Sequence, residues 1–266
     1  MANARNQTVG RMSPRQKMIN LMYIVLTAML ALNVSSDVLN GFRQVQQGLV
    51  RTNHILSARN YTMYDQIQAF YNKYPKQGRQ WIDLANQVRQ QSDSLYNYIE
   101  SLKVDIVHLC DGPQGDVNNI QADDNLDAAS QVMLPPTGKK GALLHHKIDQ
   151  YRTFILGMLN NPDNQKNVEE ALSTANVKGT EGEKAWEVSL FEGMPSIAAV
   201  TLLSKLQNDI RFAEGVALSN IISNLDTGEL RVNHFTAFVV PESKIVMRGS
   251  RYSAEIVMAA IDTTAR

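Results

Sequence analysis

Residues 13–36 read SPRQKMINLMYIVLTAMLALNVSS, and no acidic residue occurs in or before them until Asp37. From Met18 to Val34 only Asn20, Thr27 and Asn33 are plainly polar. Such a run approaches the ~20 residues, at about 1.5 Å each, that carry a helix across a hydrocarbon layer, so residues 18–37 are read as a transmembrane helix. Arg5, Arg11, Arg15 and Lys17 precede it without a counter-charge. Unbalanced basic residues stay on the cytoplasmic side, which makes residues 1–17 a cytoplasmic tail and everything after the span periplasmic. A cleaved secretory signal has the same basic start and apolar run, but Ala31, Leu32, Asn33, Val34 and Ser35 offer no A-x-A arrangement.

The polar residues of this segment are not scattered. At about 100° per residue, Gln16, Asn20, Tyr23, Thr27 and Ala31 fall in one narrow stripe. Polar groups in lipid cost free energy unless partnered, and small side chains let a second helix approach. Asn20, Tyr23 and Thr27 are therefore expected to meet a membrane partner, with Gln16 and Ala31 in helix packing. The alternative is a bare anchor whose Asn and Thr simply tolerate lipid.

Outside the membrane, Val38, Phe42, Val45, Leu49, Leu56, Met63, Ile67, Phe70 and Tyr74 recur at spacings of three, four and seven until Pro75. This predicts one long helix, continuous with the span. Leu49 and Leu56 are its candidate contacts with a second copy of the chain, intramolecular packing being the alternative. After a turn at Lys76-Gln77-Gly78-Arg79, Trp81, Leu84, Val88, Leu95, Tyr98, Leu102, Ile106 and Leu109 predict a helix returning antiparallel, closed by Cys110-Asp111-Gly112-Pro113. Residues 111–140 carry Asp116, Asp123, Asp124, Asp127 and Pro135-Pro136, a long loop with a short helix at 125–132. Leu144, Ile148, Tyr151, Ile155 and Leu159 predict a third helix, and residues 163–175 a short one. Residues 178–193 form an irregular connection whose Trp186 plugs onto the bundle. A fourth long helix starts at Pro195-Ser196 and runs to Leu225. From residue 226 the texture becomes β, in LRVNHFTAFVV, KIVMR and YSAEIVMAAID, with a turn at Gly249-Ser250.

The expected fold class is mainly α: a single N-terminal transmembrane helix continuing into a periplasmic four-helix bundle over 38–225, followed by the truncated start of an all-β, Ig-like domain over 226–266.

Pro14-Arg15-Gln16-Lys17-Met18-Ile19-Asn20-Leu21-Met22-Tyr23 and Ala28-Met29-Leu30-Ala31-Leu32-Asn33-Val34-Ser35 closely resemble the start of the GldM (PorM) family, motor subunits of gliding motility and type IX secretion in Bacteroidetes. The resemblance is strongest from Pro14 to Phe42. It implies two copies of this chain inside a ring of five GldL (PorL) subunits, whose membrane glutamate carries protons. It also implies outer partners, GldK- and GldN-like, reached through the periplasmic C-terminal region. By the same match Arg15 and Tyr23 stand where family members place contacts to that glutamate.

Composition narrows the remaining choices. With 44% hydrophobic and 20% charged residues among 266, the chain has material for a core plus one span, and its formal net charge of zero gives no reason to expect nucleic-acid binding. The single cysteine, Cys110, permits no internal disulfide. There is no G-x-x-x-x-G-K-[ST], since Gly138-Lys139-Lys140-Gly141 is a loop, and no G-x-S-x-G or H-E-x-x-H. His145 and His146 project about 100° apart on a helix, and Asp123, Asp124 and Asp127 lack a calcium-loop pattern, so no metal or cofactor is expected. From Met18 to Ser36 there is no Asp, Glu or His, so an ion-driven motor built on this chain needs its titratable carrier on a partner. A non-catalytic motor subunit is the leading reading. A periplasmic receptor lacks an output domain within residues 1–17. A passive envelope tether predicts that polar changes in the span leave function intact.

Overall fold

The computed structural model describes residues 13–32, 36–137, 139–179, 182–229, 234–241, 249 and 254–261. The expectations for the tail at 1–12, for continuity across 33–35 and for a strand at 244–248 fall outside these residues. The chain is mainly helical. It divides into two compact units, one gathering residues 1–54, 95–150 and 173–209, the other 55–94, 151–172 and 210–266.

Helix α1 spans Pro14–Leu32. Ser13 starts it: its carbonyl accepts from Lys17 N at 3.0 Å and its hydroxyl from Gln16 N at 3.3 Å, with proline at the first helical position. Its first turn is thus the polar Pro14-Arg15-Gln16-Lys17, and its apolar part begins only at Met18. Among the described residues, no helix is long and apolar enough to cross a membrane.

The long helices are α2 (Ser36–Lys73, 38 residues) and α3 (Pro75–Asp111, 37 residues). A turn at residues 76–79 is the first expectation that fails, because those residues are already helical. Pro75 ends α2 and, lacking an N–H that the first helical turn would leave unbonded anyway, begins α3. Tyr74 alone separates the two: its N–H donates to Phe70 O at 2.8 Å and its carbonyl accepts from Gly78 N at 2.8 Å. Gly78 has a steric reason, since a Cβ there would lie 2.8 Å from the Tyr71 Cα. The helices return antiparallel, with the Tyr64 hydroxyl donating to Asn86 Oδ1 at 2.6 Å and Arg89 over the rings of Tyr64 and Tyr61 at 4.8 and 5.6 Å.

A loop follows in the first unit. Asp111 takes the backbone N–H groups of Gln121 and Ala122, each at 2.8 Å, and leads to the short α4 (Ala128–Met133). Helix α5 covers Lys140–Leu156, ending sooner than its apolar pattern suggests: after the last helical bond, Gly157 N to Thr153 O at 3.1 Å, Met158 N and Leu159 N bond only three residues back, to Ile155 O at 3.0 Å and Leu156 O at 3.3 Å. Helix α6 (Pro162–Ala171) is capped by Asn161, whose side chain accepts from Asp163 N at 2.8 Å. The connection expected to be irregular is instead an antiparallel hairpin, β1 (Val177–Gly179) with β2 (Gly182–Lys184), followed by the short α7 (Trp186–Phe191). Trp186 is buried and Phe191 fully so. Helix α8 covers Ser196–Glu229, and β3 (His234–Pro241) pairs antiparallel with β4 (Ala254–Ile261), His234 opposite Ile261 and Pro241 opposite Ala254.

Candidate functional site

The row of polar positions on α1 is built on a helix whose described side chains are exposed. Arg15 and Gln16 lie in its first turn, Asn20 and Tyr23 follow, and Thr27 turns its hydroxyl inward, donating to Tyr23 O at 2.7 Å and Ile24 O at 3.0 Å. A threonine so occupied adds little polarity to the helix surface. Ala31 completes the row by backbone position.

The head of α2 is fastened within the first unit. Arg43 reaches Asp123 Oδ2 at 2.5 Å, and the Thr201 hydroxyl lies 3.4 Å from Phe42 O. Asp123 is held in turn, its backbone carbonyl accepting from Ile197 N at 3.3 Å, while Asn125 O accepts from Ser196 N at 2.9 Å and the Ser196 hydroxyl donates to Ala122 O at 2.6 Å. The acidic loop is thereby tied to both α2 and the start of α8. Asp116 folds back on its own turn, accepting from Asn118 N at 2.9 Å.

The buried line of α2 differs from its apolar pattern. Leu39, Gln46, Asn53, Asn60 and Ile67, spaced by seven, are each 6% exposed or less, whereas Val38 and Val45 face out at 49% and 53%. Three carboxamides thus occupy the middle of the inward face. In the first unit Asn53 Nδ2 donates to Ser204 O at 3.3 Å; in the second, Asn60 Nδ2 donates to Arg211 O at 2.8 Å. In each unit the bonded pair is 151 residues apart. Asn60 also donates to Glu214 Oε2 at 2.9 Å, and Gly215 exists because a Cβ there would meet Asn60 Oδ1 at 2.8 Å. The Gln46 amide has no protein partner among the described residues, and neither does Asn53 Oδ1.

Within the second unit this seam widens into a cavity of about 190 Å³ containing Asn60, Tyr64, Arg89, Asp93, Arg211 and Glu214. Arg211 bridges Asp93 at 2.8 Å and Glu214 at 2.9 Å. Burial works against its charge, but the two carboxylates outweigh that and hold the guanidinium more firmly ionised than usual. Nearby, Ser92 and Tyr151 share a buried hydrogen bond of 2.7 Å, and burial keeps the phenol neutral. These charges satisfy one another, which makes the cavity a structural polar core.

Leu49 and Leu56 are half-buried, and Leu56 borders a second cavity of about 130 Å³ with Asn164, Phe212 and Gly215. The outward aliphatic residues of α2 are Val38, Val45, Val50 and Ile55. His145 and His146 separate as the helix requires: His145 approaches Asp149 and Glu187, His146 approaches Gln150. Burial pushes the Cys110 thiol up, partly offset by a hydrogen bond with Ser196. The carboxamide seam was not foreseen from apolar periodicity, although Gln46, Asn53 and Asn60 at seven-residue spacing carry the signal.

Taken together these features define a class, long polar-cored helices with a basic-started apolar helix before them and a β-segment after. Within that class, the profile of the GldM N-terminal domain matches residues 37–224, and that of the GldM second domain matches residues 226–266. The chain belongs to the GldM family. Its domains assign it to the gliding-motility and type IX secretion apparatus. A search of the curated proteins finds no match.

Proposed function

We propose that this chain is a non-catalytic subunit of an inner-membrane motor driven by the proton-motive force, carrying motion from the membrane into the periplasm. The observation that supports this best is how α2 is held. At its head Arg43 and Phe42 are tied to Asp123 and Thr201, and further along Asn53 and Asn60 grip α8 carbonyls, so displacement of its start is resisted by named bonds. A tether would need no such grip.

In this reading the run from Met18 to Val34 is a single-pass anchor with residues 1–17 in the cytoplasm, and the bulk lies in the periplasm. The absence of Asp, Glu and His from that run puts the proton carrier on a partner, a GldL (PorL)-like ring of five around two copies of this chain. Arg15, Asn20, Tyr23 and Thr27 face that ring, and Gln16 and Ala31 pack the paired helices. The two copies lie parallel, and the outward Val38, Val45 and Ile55 suit their shared surface better than the half-buried Leu49 and Leu56. An Ig-like domain beginning at residue 226 leads toward GldK- and GldN-like outer components. The test is co-purification of the full chain from native membranes: a small two-span protein with a buried glutamate is expected, and recovery of this chain alone would refute the motor reading.

A further inference from the structure

The cavity of about 190 Å³ in the second unit is walled by α2, α3 and α8, and its two ends differ. At the floor, the buried Arg211 and Glu214 satisfy one another together with Asn60 and Asp93 Oδ1, as described above. At the mouth stand Arg89 and Asp93, both half-exposed. They are one helical turn apart on α3, within reach of each other. Yet the Arg89 guanidinium lies over the rings of Tyr64 and Tyr61, and its Nε stays 3.9 Å from Asp93 Oδ2, outside hydrogen-bond distance. Asp93 in turn is drawn the other way, its Oδ1 accepting from Arg211 at 2.8 Å.

A cation and an anion are thus held side by side with their hydrogen-bonding capacity unspent. An aromatic face attracts positive charge but takes no N–H in a hydrogen bond, so the guanidinium donors of Arg89 have no acceptor among the described residues. Asp93 Oδ2 likewise has no hydrogen-bond donor among them. The Ser57 and Tyr61 hydroxyls on the α2 wall are in the same position. Charge decides what suits this mouth. The lining carries Arg89 and Arg211 against Asp93 and Glu214, so a simple anion meets two carboxylates and a simple cation meets two guanidinium groups. A molecule bearing both signs meets neither difficulty. At about 30 Å³ per water, the cavity has room for about six waters, or for one molecule the size of a small α-amino acid.

We propose that this mouth is a binding site for a small zwitterion of the α-amino-acid class, its carboxylate held by the fork of Arg89 and its ammonium by Asp93 Oδ2. Arginine presents paired N–H groups that match a carboxylate edge, and the tyrosine rings beneath fix the guanidinium before the ligand arrives. The Ser57 and Tyr61 hydroxyls are placed to bond whatever polar group the ligand adds. The floor stays as it is, because Arg211 keeps both of its carboxylates. None of this depends on the motor reading, because every group named lies within one compact unit.

The test is calorimetric titration of the full chain with glycine, the smallest zwitterion of the class and achiral, and separately with acetate and methylammonium as its two halves. Glycine is expected to bind once per chain with a Kd of about 1 mM or tighter, and each half at least about tenfold more weakly. Arg89→Gln should weaken glycine at least about tenfold, and Arg89→Lys, which keeps the charge and loses the fork, should weaken it less. Both variants should keep the urea midpoint of the parent, since Arg89 is half-exposed and makes no hydrogen bond to a described residue. Arg79→Gln, exposed near the start of α3 and away from the cavity, should bind glycine as the parent does. Absence of saturable heat up to about 50 mM glycine, acetate binding as well as glycine, or glycine binding that survives in a folded Arg89→Gln protein would each overturn the site. A loss shared equally by Arg79→Gln would overturn it as well.

Discussion

The guanidinium of Arg43, half-exposed near the head of α2, lies 2.5 Å from the Asp123 carboxylate, whose backbone carbonyl simultaneously caps the start of α8. One residue of the loop thus joins α2 to α8. Exposed ion pairs add little stability, so Arg43→Ala should change the unfolding free energy by no more than about 1 kcal/mol. Its effect on secretion and gliding should be far larger if the head of α2 is driven from the membrane. The reversed pair Arg43→Glu with Asp123→Arg should recover part of that loss. Secretion assays beside denaturation curves separate the two quantities, and equal, small effects on both would remove Arg43 from the transmission route.

The three buried carboxamides of α2 differ in how well they are satisfied, and replacement by leucine should rank them. Asn60 has two partners, one of them the buried Glu214, so Asn60→Leu should cost about 1–3 kcal/mol. Asn53 has one long bond, so Asn53→Leu should be close to neutral, and Gln46→Leu should stabilise because an unpartnered buried amide is replaced by apolar volume. Urea denaturation of the three variants checks the order.

Lys103 is buried, at 4% exposed, beside a Glu100 that is 44% exposed. Burial pushes the ammonium below its usual range, only partly offset by Glu100 at 2.8 Å. Removing the ammonium should therefore be tolerated, because Glu100 keeps water and the Gln207 amide at 2.9 Å. For Glu100, burial pushes its pKa upward, but the hydrogen bonds from Lys103 and Gln207 outweigh it and the net direction is down. A lowered acid contributes stability above its unfolded range and loses it as pH falls through the folded one. Lys103→Met should consequently flatten the acid limb of a melting-temperature profile between about pH 2 and about pH 6. On the basic side, wild type should gain on the variant as pH rises through the lowered lysine range. An unchanged acid limb would contradict the assignment.

Topology can be read by thiol labelling in intact cells in a Cys110→Ser background. Arg5→Cys should resist an impermeant reagent, and Thr137→Cys, exposed in the loop before α5, should react. The inverse pattern would reverse the orientation drawn from the basic flank.

Arg15 tests the membrane end. On the proposed motor function, a carboxylate on the partner is favoured in its ionised form beside a guanidinium and takes up a proton more readily away from it, so Arg15 is expected to set where protons load and leave. Arg15→Ala is expected to abolish secretion and gliding while the complex still assembles, Arg15→Lys to retain part of the activity, and Tyr23→Phe to be milder. Normal gliding of Arg15→Ala cells at normal protein levels would leave the residue a topogenic charge only.

Helix existence was legible because Val88, Leu102, Ile148, Leu203 and Ile210 keep helical spacing and are buried. The inward line of α2 was not, because its centre is polar: Gln46, Asn53 and Asn60 are buried while the apolar Val38 and Val45 are exposed, so periodicity of apolar residues located only the flanks. The corner at Pro75 misled for a related reason. Lys76, Gln77, Gly78 and Arg79 look like a turn by composition, yet proline suits a helix start and Gly78 is needed for its close approach to Tyr71. For the candidate site, the row on α1 is a matter of helical spacing alone. The Arg43–Asp123 tie and the surroundings of His145 join residues 80 and 42 positions apart, beyond the reach of any local pattern.

The one-residue passage at Tyr74 also governs how chains of this kind can vary. Inserting a single residue there would turn α3 by about 100° and advance it by about 1.5 Å, carrying Ile82, Ala85, Val88 and Ser92 off the face they now bury. The stretch from Gly112 to Asp127, anchored at intervals through Asp111, Asp123 and Asn125, has no such phase to keep. Length differences among relatives are therefore expected to collect between Gly112 and Ile120, leaving the spacing across Pro75 fixed, and a reporter peptide spliced at Asn118 should be carried without loss of the fold where the same peptide at Tyr74 is not.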